Sequence, residues 1–144
     1  MGIKLKPLAQ QTVVVTGGSS GIGLAIARGA AQAGARVILV ARDENSLRMV
    51  CETLAREGGR ADYVAADVGV REEIRNVVNT VVERYGGFDT WVNDAGVGVY
   101  AKLDELSDED HHRLFQTNYW GVVYGSLEAL EHLRRNGGAL INIG

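Results

Sequence analysis

Short apolar runs alternate with stretches of helical spacing along this chain, and no other feature of the sequence narrows its fold as much. Thr12–Thr16 reads TVVVT, a β-branched run short enough for a strand buried on both faces. Residues 22–33 shift to helical spacing and are rich in alanine, and Gly34 marks the end of that helix. Residues 37–40 (VILV) form a second buried strand. Asp43 is a candidate cap for the next helix, whose Leu47, Val50, Cys51 and Leu54 share one face until Gly58 and Gly59. Residues 63–66 make a weaker third strand. Val70, Ile74, Val77, Val78, Val81, Val82 and Tyr85 then carry the clearest helical period, closed by Gly86 and Gly87. Residues 88–92 predict a fourth strand. Ser107 with Asp110 three positions on resembles a capping box and opens helical sequence through Leu133. Gly137 and Gly138 end it, and residues 139–143 begin a fifth strand.

Strands joined by helices imply a parallel sheet with right-handed crossovers and helices on both faces. The expected fold is therefore one doubly wound α/β domain of Rossmann type over residues 9–144, behind a flexible leader over residues 1–8. Composition agrees: 19 glycines against one proline suit many tight connections, and 46% apolar with 23% charged residues favours neither disorder nor a membrane span. A net charge of -3 offers no footprint for nucleic acid or an anionic membrane. Cys51, the single cysteine, excludes an internal disulfide and reads as a structural thiol. His111 and His112 lie near Asp108, Glu109 and Asp110, but adjacent helical residues diverge and no ligand pair completes a metal site. The basic N-terminus has no apolar run long enough for a signal peptide, and Met1-Gly2 lacks the following Ser or Thr of a myristoylation site. A cytoplasmic protein is expected.

Thr16-Gly17-Gly18-Ser19-Ser20-Gly21-Ile22-Gly23 lies between the first strand and the first helix. A phosphate-binding turn needs residues without Cβ, so that the backbone bends sharply and approaches a pyrophosphate. It also needs a helix N-terminus aimed at the charge. Gly17, Gly21 and Gly23 meet the first need and the helix beginning near Ile22 meets the second, with Ser19 and Ser20 in the same turn. The spacing Gly-x-x-x-Gly-x-Gly differs from the common dinucleotide fingerprint.

This segment resembles the T-G-x-x-x-G-x-G motif of the short-chain dehydrogenases/reductases, and further matches follow in order. Asp67-Val68 follows the third strand, where that family has a pair touching adenine. Asn93-Asp94-Ala95-Gly96 is similar to the family's N-N-A-G, with Asp94 in place of an asparagine. That change turns a donating amide into an acceptor-only group. Asn118 matches the asparagine of the family's Asn-Ser-Tyr-Lys group, and Ile141-Asn142-Ile143 resembles the strand before its serine.

The resemblance implies hydride transfer between a nicotinamide and a carbonyl or alcohol carbon. A tyrosine serves as general acid/base beside a lysine, a serine holds the substrate oxygen and an asparagine anchors a relay water. Of these only Asn118 is present, because the chain ends at Gly144, so these residues alone are expected to be inactive. NADP is the expected cofactor rather than NAD: Ala41 stands where NAD enzymes place a carboxylate, and Arg42 offers a 2′-phosphate two parallel hydrogen bonds. A small carbonyl or alcohol substrate and a homo-oligomeric parent protein follow from the resemblance. The competing expectation is a nucleotide-binding sensor or scaffold that performs no chemistry.

Overall fold

The computed structural model describes residues 5–144; residues 1–4, half of the expected leader, lie outside the described residues. Strands β1 (Thr12–Thr16), β2 (Arg36–Ala41), β3 (Arg60–Ala65), β4 (Thr90–Asn93) and β5 (Ala139–Asn142) form one parallel sheet in the order β3-β2-β1-β4-β5. Helices α1 (Gly21–Gln32) and α2 (Glu44–Arg56) connect the first three strands. Helix α3 (Arg71–Tyr85) then carries the chain back from β3 to β4, beside β1. Strand order therefore reverses between β1 and β4, and such a switch point opens a crevice at the carboxyl ends of the strands.

The β-branched runs form the central strands because both of their faces are covered. Val13, Val15, Val37 and Leu39 meet Ala27, Ala30 and Ala31 of α1 and Leu47, Cys51 and Leu54 of α2. Val14, Ile38, Val40 and Trp91 meet Ile74, Val77 and Val81 of α3, with Ala129 and Leu133 from a later helix. Each such large side chain, fully buried, contributes about 1.5–3 kcal/mol.

Local signals set the ends of the elements. The Asp43 carboxylate accepts from Asn45 N–H at 3.1 Å and so caps α2, and Gly86 closes α3 with φ 77°. Ser107 and Asp110 form a reciprocal capping box at the start of α4 (Asp108–Phe115).

Three departures from the sequence pattern exceed a shift of an end by one residue or so. β3 begins at Arg60, ahead of the apolar residues at 63–66, because the edge strand is tied down by polar groups. The Arg60 guanidinium donates to the Gly34 carbonyl at 2.5 Å and Asp62 receives the Tyr85 hydroxyl. β4 begins at Thr90 rather than Phe88, whose ring packs against Trp91 and His132 at 5.4 and 4.5 Å. The long helical stretch is also divided: α4 passes into a π-helical turn, Gln116–Trp120, before α5 (Gly121–Asn136). At the near end of the chain, Lys6 pairs with Asp89 at 2.6 Å. No helix among the described residues is long and apolar enough to cross a membrane.

Candidate functional site

Segments leaving β1, β2, β3 and β4 surround a cleft of about 560 Å³. Gly17, Ser19, Ser20, Gly21 and Ile22 line one wall. Arg42 follows β2, Asp67 and Val68 follow β3, and Ala95 and Gly96 follow β4, and all of them line it too. The topology thus gathers four segments that are separated in sequence. Ala41, Asp43, Ala66, Asp94, Val97 and Thr117 also line the cleft. Ala41, Asp43 and Asp94 were already notable in the sequence, whereas Ala66, Val97 and Thr117 carry no motif signal and reach the cleft only through the tertiary fold.

Gly17 turns the chain at the end of β1 with φ 71°, and its N–H donates to the Val40 carbonyl at 2.8 Å. A Cβ there would lie 2.8 Å from the Ala95 Cα, so the β4 loop requires glycine as well. Gly23 lies beneath the cleft surface rather than on it. A Cβ on Gly23 would come within 2.4 Å of the Gly17 carbonyl and 2.7 Å of Asp94 Oδ2. The Thr16 hydroxyl ties the two walls together: it accepts from Asp94 N–H at 3.1 Å and Ala95 N–H at 3.2 Å.

Asn93 is buried below the cleft. Its Oδ1 accepts from Trp91 Nε1–H at 2.8 Å, and its Nδ2 donates to Ser126 Oγ at 3.1 Å and Asn142 Oδ1 at 2.8 Å. It joins β4, β5 and α5 and supports the floor. The neighbouring Asp94 carboxyl is pushed above the ordinary aspartate range by burial, while the Gly23 peptide N–H opposes that shift. An acceptor-only side chain is thus matched to a backbone donor.

Arg42 is exposed and has no ion-pair partner among the described residues, while Asp43 is occupied in capping α2. Asp67 Oδ1 accepts from Gly69 N–H at 2.9 Å, and Asp67 N–H donates to Glu73 at 2.6 Å, which fixes the segment after β3. Asn118 stands in the π-helical turn. Its Oδ1 accepts from Val97 N–H and its Nδ2 donates to the Val97 carbonyl, both at 2.8 Å. Its amide therefore holds a residue of the cleft wall, a contact that the sequence motif does not show.

Cys51 does not line the cleft; burial, with the Asp62 charge adding, pushes its thiol up to about 11. No group of three His, Cys, Asp or Glu that could hold a metal ion occurs among the described residues. The cleft suits a dinucleotide. Two glycines stand where a Cβ would collide, a 12-residue helix begins at the turn, and a guanidinium stands at the end of β2.

Sheet order and cleft together define a Rossmann-type α/β domain with its site at the topological switch point. The chain belongs to the short-chain dehydrogenase family, which residues 11–144 match. It is 44% identical over 144 residues to an uncharacterised oxidoreductase, YxnA, of Bacillus subtilis (strain 168), covering 99% of this chain and 40% of that protein. Among solved structures, it is similar to an alcohol dehydrogenase from the archaeon Thermococcus sibiricus complexed with 5-hydroxy-NADP. That likeness has a TM-score of 0.86 and 35% identity, over 92% of this chain and 57% of the other. It is also similar to L-sorbose reductase from Gluconobacter frateurii complexed with NADPH and L-sorbose. There the TM-score is 0.85 and the identity 35%, over 99% of this chain and 54% of the other. The chain thus spans roughly half the length of the proteins it matches.

Proposed function

We propose that the protein containing this chain is an NADP-dependent oxidoreductase that transfers a hydride between a nicotinamide and a carbonyl or alcohol carbon. One observation carries the cofactor reading: Arg42 stands without an ion-pair partner among the described residues at the end of β2, where Ala41 supplies no carboxylate. A carboxylate there would favour ribose hydroxyls and repel a 2′-phosphate, whereas a guanidinium attracts that phosphate. The NADP-type cofactors in the T. sibiricus and G. frateurii structures support the same reading.

When bound, the cofactor supplies or accepts the hydride. Gly17, Ser19, Ser20, Gly21 and Ile22 would hold its pyrophosphate at the N-terminus of α1, and Gly23 lets that helix approach. Arg42 would take the 2′-phosphate, Asp67 and Val68 the adenine, and Ala95 and Gly96 the nicotinamide half, above the floor built by Asn93. Asn118 holds Val97 of the cleft wall through its side-chain amide, and it would also anchor the proton-relay water that the family resemblance implies. Proton transfer requires a group of suitable pKa within hydrogen-bond reach. None of the tyrosines of this chain has a lysine four positions on, so the 144 residues alone should not turn over. The remaining readings for the parent protein are a small carbonyl or alcohol substrate, a homo-oligomeric cytoplasmic enzyme, and no nucleic-acid or membrane partner.

Fluorescence titration of the full-length protein with NADPH and NADH tests the cofactor reading. NADPH should bind more tightly, and Ala41→Asp combined with Arg42→Ala should reverse the preference, each change contributing roughly tenfold. Equal or tighter binding of NADH by the unaltered protein would overturn it.

A further inference from the structure

Asp94 is the one ionisable side chain of the cleft wall that also reaches under the glycine turn. Its Oδ2 lies 2.7 Å from where a Cβ on Gly23 would stand, and the Gly23 N–H faces it. Gly23 is the third residue of α1, so a carboxylate occupies the positive end of the helix from below. The pyrophosphate of a dinucleotide would draw on that same field from above. We infer that Asp94 sets the affinity of this cleft for its dinucleotide by competing, as a carboxylate, with the cofactor's phosphates for the N-terminus of α1. The inference rests on the dinucleotide reading given above.

Two contacts separate this role from simple packing. The Asp94 N–H is bonded to Thr16 Oγ1, so the backbone stays fixed whatever the side chain carries. An asparagine Oδ1 can accept from Gly23 as a carboxylate does, so the amide retains the contact and removes only the charge. The other ionisable groups on the cleft wall are Arg42 and Asp43 after β2 and Asp67 after β3. None of them contributes to the displacement of the Asp94 carboxyl, which comes from burial and is opposed by the Gly23 N–H. The segments packed directly against Asp94, the end of β1 and the turn into α1, present Thr16, Gly17 and Gly23 and no titratable side chain.

Linkage fixes the sign. Burial raises the Asp94 carboxyl above the ordinary aspartate range, and the Gly23 N–H opposes that shift. Protonation of the carboxyl removes the competitor, so the affinity penalty fades as pH falls through that titration and is fully present above it. Binding of the dinucleotide should in turn raise the Asp94 pKa further.

The test is titration of the full-length protein with NADPH and with NADH from about pH 5 to about pH 8, comparing wild type with Asp94→Asn and Asp94→Ala. Taking the ratio to wild type at each pH cancels the titration of the cofactor's own phosphate. Asp94→Asn should bind both cofactors roughly three- to tenfold more tightly near neutral pH, with the advantage shrinking toward the acid end. Asp94→Ala removes the charge and the contact together and should gain less than Asn. Equal affinity of wild type and Asp94→Asn across the range overturns this inference alone. If no form binds either cofactor at any pH, the dinucleotide reading fails and takes the inference with it.

Discussion

Gly23 shows how little room a single residue leaves at this site. Gly23→Ala would drive a methyl group to 2.4 Å from the Gly17 carbonyl, which is backbone and cannot swing aside, and to 2.7 Å from the Asp94 side chain. The substitution should cost about 1–3 kcal/mol and weaken dinucleotide binding, readable by thermal melting and by NADPH titration. Unchanged melting and affinity would show that the turn is looser than described. Gly125 is limited in the same way by a side chain. A Cβ there would meet Asn93 Oδ1 at 2.1 Å, so Gly125→Ala should break the Asn93 contacts to Trp91, Ser126 and Asn142. A loss of about 2 kcal/mol or more is expected in denaturant unfolding, because buried polar atoms would be left unpaired. At this scale the glycine turn was legible in the sequence, since a missing side chain between a strand and a helix has few other uses. The separate tasks of Gly17 and Gly23 were not, because the groups they approach belong to other segments.

Among the elements, α3 and α5 are joined by a charge cluster that no local pattern reveals. Glu128 accepts from Arg71 at 2.7 Å and lies 3.3 Å from Arg75, which also pairs with Glu72 at 2.9 Å. Burial alone would raise the Glu128 carboxyl, but the two guanidiniums outweigh it and hold the pKa below the ordinary glutamate value. A depressed folded-state pKa contributes stability that is complete above the unfolded-state value and is lost as pH falls through the folded one. Glu128→Gln should therefore cost roughly 1 kcal/mol at neutral pH and nothing at strongly acid pH, because the arginines are partly exposed and solvent screens them. Urea unfolding of wild type and variant at several pH values checks this, and a pH-independent difference would contradict it. At the start of α4 the capping box was legible from Ser107 and Asp110, and Ser107→Ala should cost about 1 kcal/mol by melting. The π-helical turn after α4 was not legible. Gln116–Trp120 holds no proline or glycine, and its course suits contacts elsewhere, Asn118 with Val97 and Gly121 against Val68.

Taken as a whole molecule, the sheet has β3 and β5 at its edges, and the outer surface near β5 carries exposed apolar groups. Ile141 in β5 is 42% and Ile143 just after it 36% exposed; elsewhere, Phe115 at the end of α4 and Trp120 in the π-helical turn are 65% and 41% exposed. An unpaired strand edge together with exposed apolar side chains favours association between chains. Expressed alone, these 144 residues should self-associate and should oxidise no NADPH with a broad panel of carbonyl compounds. Size-exclusion chromatography and that assay test the two halves, and a monodisperse monomer with turnover would overturn both. The sequence by itself determined the alternation of strands and helices, the strands buried on both faces, and the glycine turn at the start of α1. Burial imposes a period of two or of 3.6 on each element, so those features are written locally. Tertiary structure alone decided that Arg42, Asp67 and Ala95 line one cleft, that Asn118 spends its amide on Val97, and that Asp94 reaches beneath Gly23. Each of these joins residues far apart in the chain, and strand order, which local periodicity does not encode, brings them within reach.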